Sequence, residues 1–543
     1  MQPVAAIDPG VLRRASRILA PAPGVRPVAV IDIGTASIRM VIAELHPDGK
    51  FHIIESLQQA VHLGKDTFTK ARIQPPTIEE CVKVLSGFRR VMEEYHVTDN
   101  QQIRAVATSA VREAENRDAF LDRIYTATHI NIEVLEETET NRLMYLAVQD
   151  VLAQHPELQQ SDALIVEVGG GSTELLLLQQ GNITHSNTYG LGSLRLRETL
   201  RSYRASAERI RFVLDQNITR IVDDIHRTVP AKAAPYLIAV SSDARFAVSQ
   251  LVKQPDTVSA VSIGARALGN FAAKIAPMPV DDLVRKYGIT FEEAETVGPA
   301  LLVYAHLAKA FKVKHFIVPK CSLRDGLLRE MASREHWTKE FAAQVEHSAI
   351  TLGRRCGFDE KHATHVADLS MQLFRELQPE HQLGKRYELF LVVAALLHEI
   401  GMFINYRSYH KHTMYVLMNS DLFGLTREEM LLIALIARYH RRAAPRPYHE
   451  GYTSLNRDER IAVSKLAAIL RVADALDSKD LQQVRSLAFN REERQLIINI
   501  GDVEDVTLER LALKQKGTMF EDIYGLKVAL RETNPPKALA GHE

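Results

Sequence analysis

One stretch limits the possible folds more than any other: Ala163-Leu-Ile-Val-Glu-Val-Gly-Gly-Gly-Ser-Thr-Glu-Leu-Leu-Leu-Leu178. An apolar run delivers an acid, Glu167, to three consecutive glycines, and a second apolar run leaves after Ser172, Thr173 and Glu174. Short apolar runs bounded by glycine fit buried strands, so the stretch predicts strand, tight turn, strand. Gly169, Gly170 and Gly171 are expected to permit positive φ and to leave backbone N–H groups open to an oxyanion. Ser172 and Thr173 add hydroxyl donors, while Glu167 and Glu174 could hold a cation or orient water.

The same grammar occurs about 135 residues earlier, in Val28-Ala-Val-Ile-Asp-Ile-Gly-Thr-Ala-Ser-Ile-Arg-Met-Val-Ile-Ala-Glu-Leu45. Asp32 ends the strand, Gly34 forms the turn, and Thr35, Ser37 and Arg39 follow. A single hairpin of this kind would be an ordinary β-turn. Two copies read as a duplicated fold whose loops clamp a chain of phosphates.

The chain has 543 residues, more than one core accommodates, so several domains are expected. Lys+Arg and Asp+Glu both number 67, which rules out a global positive field for polyanions; any anion site is local. Three scattered cysteines, Cys81, Cys321 and Cys356, predict no disulfide framework and a reducing cytoplasm. No run approaches the roughly 20 apolar residues that span a bilayer, so no membrane association is expected. Residues 1–26 lack a continuous apolar region and read as a short helix and a lead-in, not a signal peptide.

The paired loops resemble the exopolyphosphatase / guanosine pentaphosphate phosphohydrolase (Ppx/GppA) family. Ala107-Thr-Ser-Ala-Val-Arg-Glu-Ala-Glu-Asn116, Leu396-Leu-His-Glu-Ile-Gly401, Arg438-Tyr-His-Arg-Arg442 and Ser322-Leu-Arg-Asp-Gly326 extend the likeness over most of the chain. The resemblance implies an α/β fold with two ribonuclease-H-like lobes of the actin–hexokinase–Hsp70 type and a phosphate-binding cleft between them. An all-α HD-like domain and a small α/β domain would follow. The expected boundaries are 27–155 and 156–332 for the lobes, 333–482 for the helical domain, 483–532 for the cap and 533–543 for a disordered tail.

The resemblance also assigns roles. Gly34, Thr35, Ser37, Arg39, Gly169, Gly170, Gly171, Ser172 and Thr173 would bind phosphate. Asp32, Glu167 and Glu174 would hold Mg2+, and Arg112 would bind the reacting group's oxygens through its two-pronged guanidinium. The substrate would be inorganic polyphosphate or guanosine pentaphosphate, with guanosine tetraphosphate as a product or bound ligand. DNA is not expected as a partner, and a homodimer is.

Four positions depart from the family pattern. Aligned on Arg142, the catalytic glutamate falls on Thr140 and the preceding glutamate on Glu139. A threonine hydroxyl cannot take a proton from water near neutral pH, so a neighbouring carboxylate is expected to replace it, Glu139 first and Glu137 next. Ala36 stands for an asparagine, Glu167 for an aspartate, and Ser241-Ser-Asp-Ala-Arg245 for a glycine-rich turn. The alternative is therefore a sensor that binds polyphosphate or guanosine tetraphosphate and turns it over poorly.

Downstream, His365, His398-Glu399 and Asp474 fall in the order of the HD phosphohydrolase superfamily, whose corresponding residues hold metal ions. The competing reading is a helical domain whose histidines are satisfied by neighbouring hydrogen bonds, and it is the favoured one. Arg441 and Arg442, near Arg438 and Arg446, make the densest basic patch and are expected to meet the tail of a polyanion.

Overall fold

A computed structural model describes residues 24–201, 207–231, 233–253, 259–333, 338–441, 443–478, 482–484, 486–501 and 506–532. The expectations for most of the leading segment, for the tail and for Arg442 fall outside these residues. The chain divides into two compact units, Met1–His336 and Trp337–Glu543.

The first unit contains two sheets of repeated design. In one, β1 (Arg26–Ile33), β2 (Ser37–Leu45), β3 (Phe51–Ala60), β4 (Ile103–Ala107) and β5 (Ile132–Val134) lie in the order β3-β2-β1-β4-β5. The other holds β6 (Ala163–Val168), β7 (Thr173–Gln179), β8 (Asn182–Tyr189), β9 (Tyr236–Ala239), β10 (Ala260–Gly264) and β11 (His315–Pro319), ordered β10-β11-β9-β6-β7-β8. Each sheet has an antiparallel meander of three strands, and the first strand of each meander pairs in parallel with the next strand in sequence. The hairpins share their register. Asp32 faces Arg39 across β1 and β2, and Glu167 faces Glu174 across β6 and β7.

Helices cover both faces of the sheets, and β1 and β6 are accordingly apolar along almost their whole length. One core gathers Ala29, Ile31 and Ile42 with Leu85 and Phe120, and another gathers Leu164, Val166 and Leu237 with Leu301 and Tyr304. The opposite face of β1 packs on Leu323, Leu327 and Leu328 of the helix Leu323–Ala332. This helix follows the second sheet in sequence but covers the first, so the chain crosses back before residue 332. Gly326 lets it come close to the helix Glu137–Gln154, since a Cβ there would stand 2.2 Å from the Leu143 carbonyl oxygen.

The second unit is helical up to Ala475, with a three-stranded sheet (β12 Ala488–Glu492, β13 Gln495–Ile500, β14 Lys527–Glu532) after it. Two helices, Thr507–Lys516 and Thr518–Tyr524, connect β13 to the parallel β14. The second of these helices was not apparent in the sequence pattern. Among the described residues, no helix is long and apolar enough to cross a membrane.

Candidate phosphate site

The two loops are built alike. Gly34 N–H donates to the Ser37 carbonyl at 3.0 Å, and Gly169 N–H donates to the Ser172 carbonyl at 2.9 Å. None of Gly34, Gly169, Gly170 and Gly171 has positive φ, which corrects the expectation from sequence. The glycines serve close approach instead. A Cβ on Gly170 would lie 1.9 Å from Thr35 Oγ1, and one on Gly171 would lie 2.3 Å from Ser109 Oγ. Arg195 braces the second loop. Its Nε donates to the Gly171 carbonyl at 2.7 Å, while its Nη2 pairs with Glu113 at 2.5 Å.

Between the loops lies a cavity of about 140 Å³, lined by Asp32, Gly34, Thr35, Ser37, Arg39, Glu167, Gly169, Gly170, Ser172 and Glu174 among others. Gly171 and Thr173 are not on its wall. Gly171 packs on the helix that starts at Ser109, and the Thr173 hydroxyl donates to the Leu191 carbonyl. Helix starts converge on the cavity: Ser109, Ser193, Ser242 and Leu323 open helices there, and Thr140 sits in the first turn of another. Open N–H groups and the positive end of the helix dipole make such starts receptive to anions.

Two further arginines, Arg245 and Arg324, also line the cavity, together with Asp243. Sequence reasoning passed over them. The signal was present, because each arginine follows a strand end by a few residues, as Arg112 does. Arg324 Nη1 lies 3.3 Å from Asp32 Oδ2, and Arg245 Nη1 donates to the Cys321 carbonyl at 3.0 Å. Arg39 donates to Gln58 Oε1 at 3.1 Å.

The carboxylates are under strain from burial and from one another. Burial, with Glu174 and Asp32 adding repulsion, pushes Glu167 up to about 8. Burial also raises Glu174, against the hydrogen bond it accepts from Ser172 Oγ at 2.6 Å. Asp243 is raised to about 6 by burial, opposed by Arg39 and the Thr296 hydroxyl. Tyr304 fixes the strand end that carries Glu167, since its hydroxyl accepts from Val168 N–H at 3.2 Å and donates to the Val166 carbonyl at 3.3 Å.

Two assignments move. Glu139 is absent from the cavity wall, whereas Thr140 is on it, with its hydroxyl donating to the Glu136 carbonyl at 3.0 Å. Successive helical residues point about 100° apart, and Glu139 turns into a cluster with Arg104 and Arg142, each at 3.7 Å, beside Glu330. Burial and Glu133 push it up to about 7. Arg112 is likewise off the wall. Its Nη1 donates to the Leu135 carbonyl at 2.8 Å, and Nη2 lies 3.9 Å from Glu137. Both Arg112 and Glu137 still act electrostatically on Glu174, in opposite directions.

In the second unit, the buried group is His362, His398 and Asp474, with ligand atoms all within 4.8 Å of one another. His365, the residue expected from sequence, lies one turn away on a shallow surface with Glu360 and Asp368. The helix Glu360–Glu376 buries positions 362, 363, 366 and 367, and 365 falls off that stripe. Glu399 accepts from the Tyr409 hydroxyl at 3.1 Å. Arg441 stacks over the rings of Tyr409 and Tyr406, at 4.7 and 5.9 Å. His440, beside it in sequence, is fully buried.

Two lobes of repeated topology, with loops, helix starts and arginines around acidic groups, define a phosphohydrolase of the actin-like fold. The model of the Ppx/GppA phosphatase family matches residues 41–335, and that of its domain III matches residues 345–517; the chain belongs to this family. Among curated relatives, a guanosine-5'-triphosphate,3'-diphosphate pyrophosphatase of Aeromonas hydrophila is 24% identical, the match covering 82% of this chain and 86% of that one. The protein of the same name from Photobacterium profundum is 21% identical over 93% of this chain and 98% of its own. An exopolyphosphatase of Cytophaga hutchinsonii has a similar solved structure, with TM-score 0.51 and 20% identity over 56% of this chain and 98% of that one.

Proposed function

We propose that this enzyme removes the terminal phosphate from a phosphoanhydride chain, either the 5′ end of guanosine pentaphosphate or inorganic polyphosphate. The observation that carries the reading is the cavity whose wall joins Thr35 and Ser37 of one loop and Gly170 and Ser172 of the other with Arg39, Arg245 and Arg324. Phosphoryl transfer asks a protein chiefly for position and for stabilisation of developing charge, which these groups supply.

Glu174 is our candidate for the carboxylate that orients water and accepts its proton. It is buried on the cavity wall, held by Ser172 Oγ, and raised above the usual carboxylate range, which suits a base working near neutral pH. The new P–O bond forms as the bridging P–O bond breaks, and the shortened chain leaves with its charge facing the arginines. Asp32, Glu167 and Glu174 line the same cavity, and Glu167 Oε2 is buried without a hydrogen-bond partner, so these oxygens are the ones that would hold a hard cation. Mg2+ held there would neutralise charge on the reacting phosphoryl group.

The guanosine reading draws support from the names of relatives matched along most of their length. Free thiols at Cys81, Cys321 and Cys356 support a cytoplasmic location. The test is phosphate release from guanosine pentaphosphate and from polyphosphate, with and without Mg2+, alongside direct binding of each. A second reading, binding without turnover, is favoured by one observation: Thr140 occupies the cavity wall where the family carries its catalytic glutamate. Tight binding with no release of phosphate from either compound would establish it.

A further inference from the structure

The group formed by His362, His398 and Asp474 has the build of a transition-metal site. Two imidazoles and a carboxylate suit zinc, cobalt or nickel. His398 Nε2 and Asp474 Oδ1 are 3.9 Å apart, wider than the roughly 3.4 Å between tetrahedral ligands at about 2.1 Å, so a closing movement of about half an ångström would bring both onto one ion. The far side of each ring is anchored. His362 Nδ1 pairs with Asp477 Oδ2 at 2.8 Å, and His398 Nδ1 donates to the Ala395 carbonyl at 2.6 Å. Such bonds fix a ring so that Nε2 presents its lone pair inward. His398 Nε2 is buried and has no hydrogen-bond partner.

The group nevertheless already has a cation. Lys516, the last residue of the helix Thr507–Lys516, reaches over and pairs its ammonium with Asp474 Oδ2. Lys516 lines the same cavity as His362, Glu399, Tyr409, Asp474 and Asp477. A divalent ion on Asp474 would stand within a few ångströms of this ammonium, in a pocket where like charges repel strongly. Arg471 does not compete for the role, because its guanidinium is spent on the Tyr439 and Ala443 carbonyls.

We propose that Lys516 is the built-in counter-ion of this site: its ammonium takes the place of a divalent cation among His362, His398 and Asp474, so the native chain holds no metal there and removal of the ammonium uncovers a transition-metal site. The small C-terminal α/β element thus closes the helical part with a side chain instead of an ion.

The experiment uses the full chain, stripped with a chelator and dialysed against micromolar Co2+. Bound cobalt is counted by atomic absorption, and its ligand-field spectrum is recorded. Wild type and Lys516→Arg should retain no more cobalt than His398→Ala. Lys516→Ala and Lys516→Gln should retain about one ion per chain, lost again when His398→Ala is added. Gln keeps a donor toward Asp474, so at least one of the two neutral variants is expected to hold the wild-type circular dichroism and unfolding transition. One cobalt per wild-type chain that His398→Ala abolishes would overturn the proposal. So would a folded Lys516→Ala or Lys516→Gln that stays free of metal.

Discussion

Thr35 of the first loop and Gly170 of the second touch so closely that one added carbon on Gly170 would stand 1.9 Å from Thr35 Oγ1. The lobes therefore meet at a point where neither has room to spare, and the cavity opens beside this contact. Gly170→Ala must push Thr35 or the loop aside. Phosphate-chain binding should weaken at least tenfold, about 1.4 kcal/mol, and isothermal titration with polyphosphate measures it. Thr35→Gly removes all three atoms that a Cβ on Gly170 would meet, and with them a hydroxyl of the phosphate site, so Thr35→Gly is the reference: adding Gly170→Ala to it should cost little further affinity. A full tenfold loss on adding Gly170→Ala in the Thr35→Gly background would mean that the crowding does not come from Thr35.

The three cavity arginines should not be equivalent. Arg324 is already paired with Asp32, whereas Arg245 spends one nitrogen on the Cys321 carbonyl and is half-buried, with Glu167 acting on it electrostatically. Replacing Arg245 with methionine keeps the volume and removes the charge, which leaves a ligand phosphate facing Glu167 and Glu174 with less compensation. KM for the phosphate substrate should rise by roughly ten- to a hundredfold, with a smaller change in kcat. An unchanged KM would remove Arg245 from the substrate's surroundings.

Glu167 supplies a pH signature. Its folded pKa of about 8 lies above the 4.5 of an ordinary glutamate, so folding favours the protonated form. Stability from this residue is fully present below about 4.5 and is lost as pH rises through about 8. Glu167→Gln imitates the protonated group. Without added metal, the variant should match wild type near pH 5 and be more stable at pH 9. Denaturant midpoints at the two pH values decide it, and a gap that is the same at both would refute the shift.

Much of the fold was legible because the two hairpins carry it in local sequence. Apolar runs bounded by glycine gave β1, β2, β6 and β7 within a residue or two. What sequence could not show was which way side chains turn once helices pack. Glu139 and Thr140 are adjacent, yet one faces the arginine cluster and the other faces the cavity. The same limit exchanged His365 for His362. It also hid the partners of Arg245, Arg324 and Lys516, which lie 42 residues away or more in sequence.

The acids around Thr140 give the last test. Glu174→Gln should cut kcat by roughly 10²–10⁴-fold, the usual cost of losing a general base, with binding nearly intact. Glu139→Gln should leave kcat within about threefold, because that carboxylate serves the Arg104–Arg142–Glu330 cluster instead; its effect should appear in stability. Thr140→Glu is the informative gain. The hydroxyl it removes bonds only to the Glu136 carbonyl one turn back, so little structure is lost, and the new carboxylate would enter the cavity wall beside Glu174. If Glu174 works alone in a site that lacks its second acid, Thr140→Glu should raise kcat at least tenfold. A fall in kcat would mean that the native arrangement is already complete and that a further buried negative charge repels the phosphate chain. Should Glu174→Gln and Thr140→Glu both leave the rate at background while polyphosphate still binds, the cavity holds its ligand without cutting it.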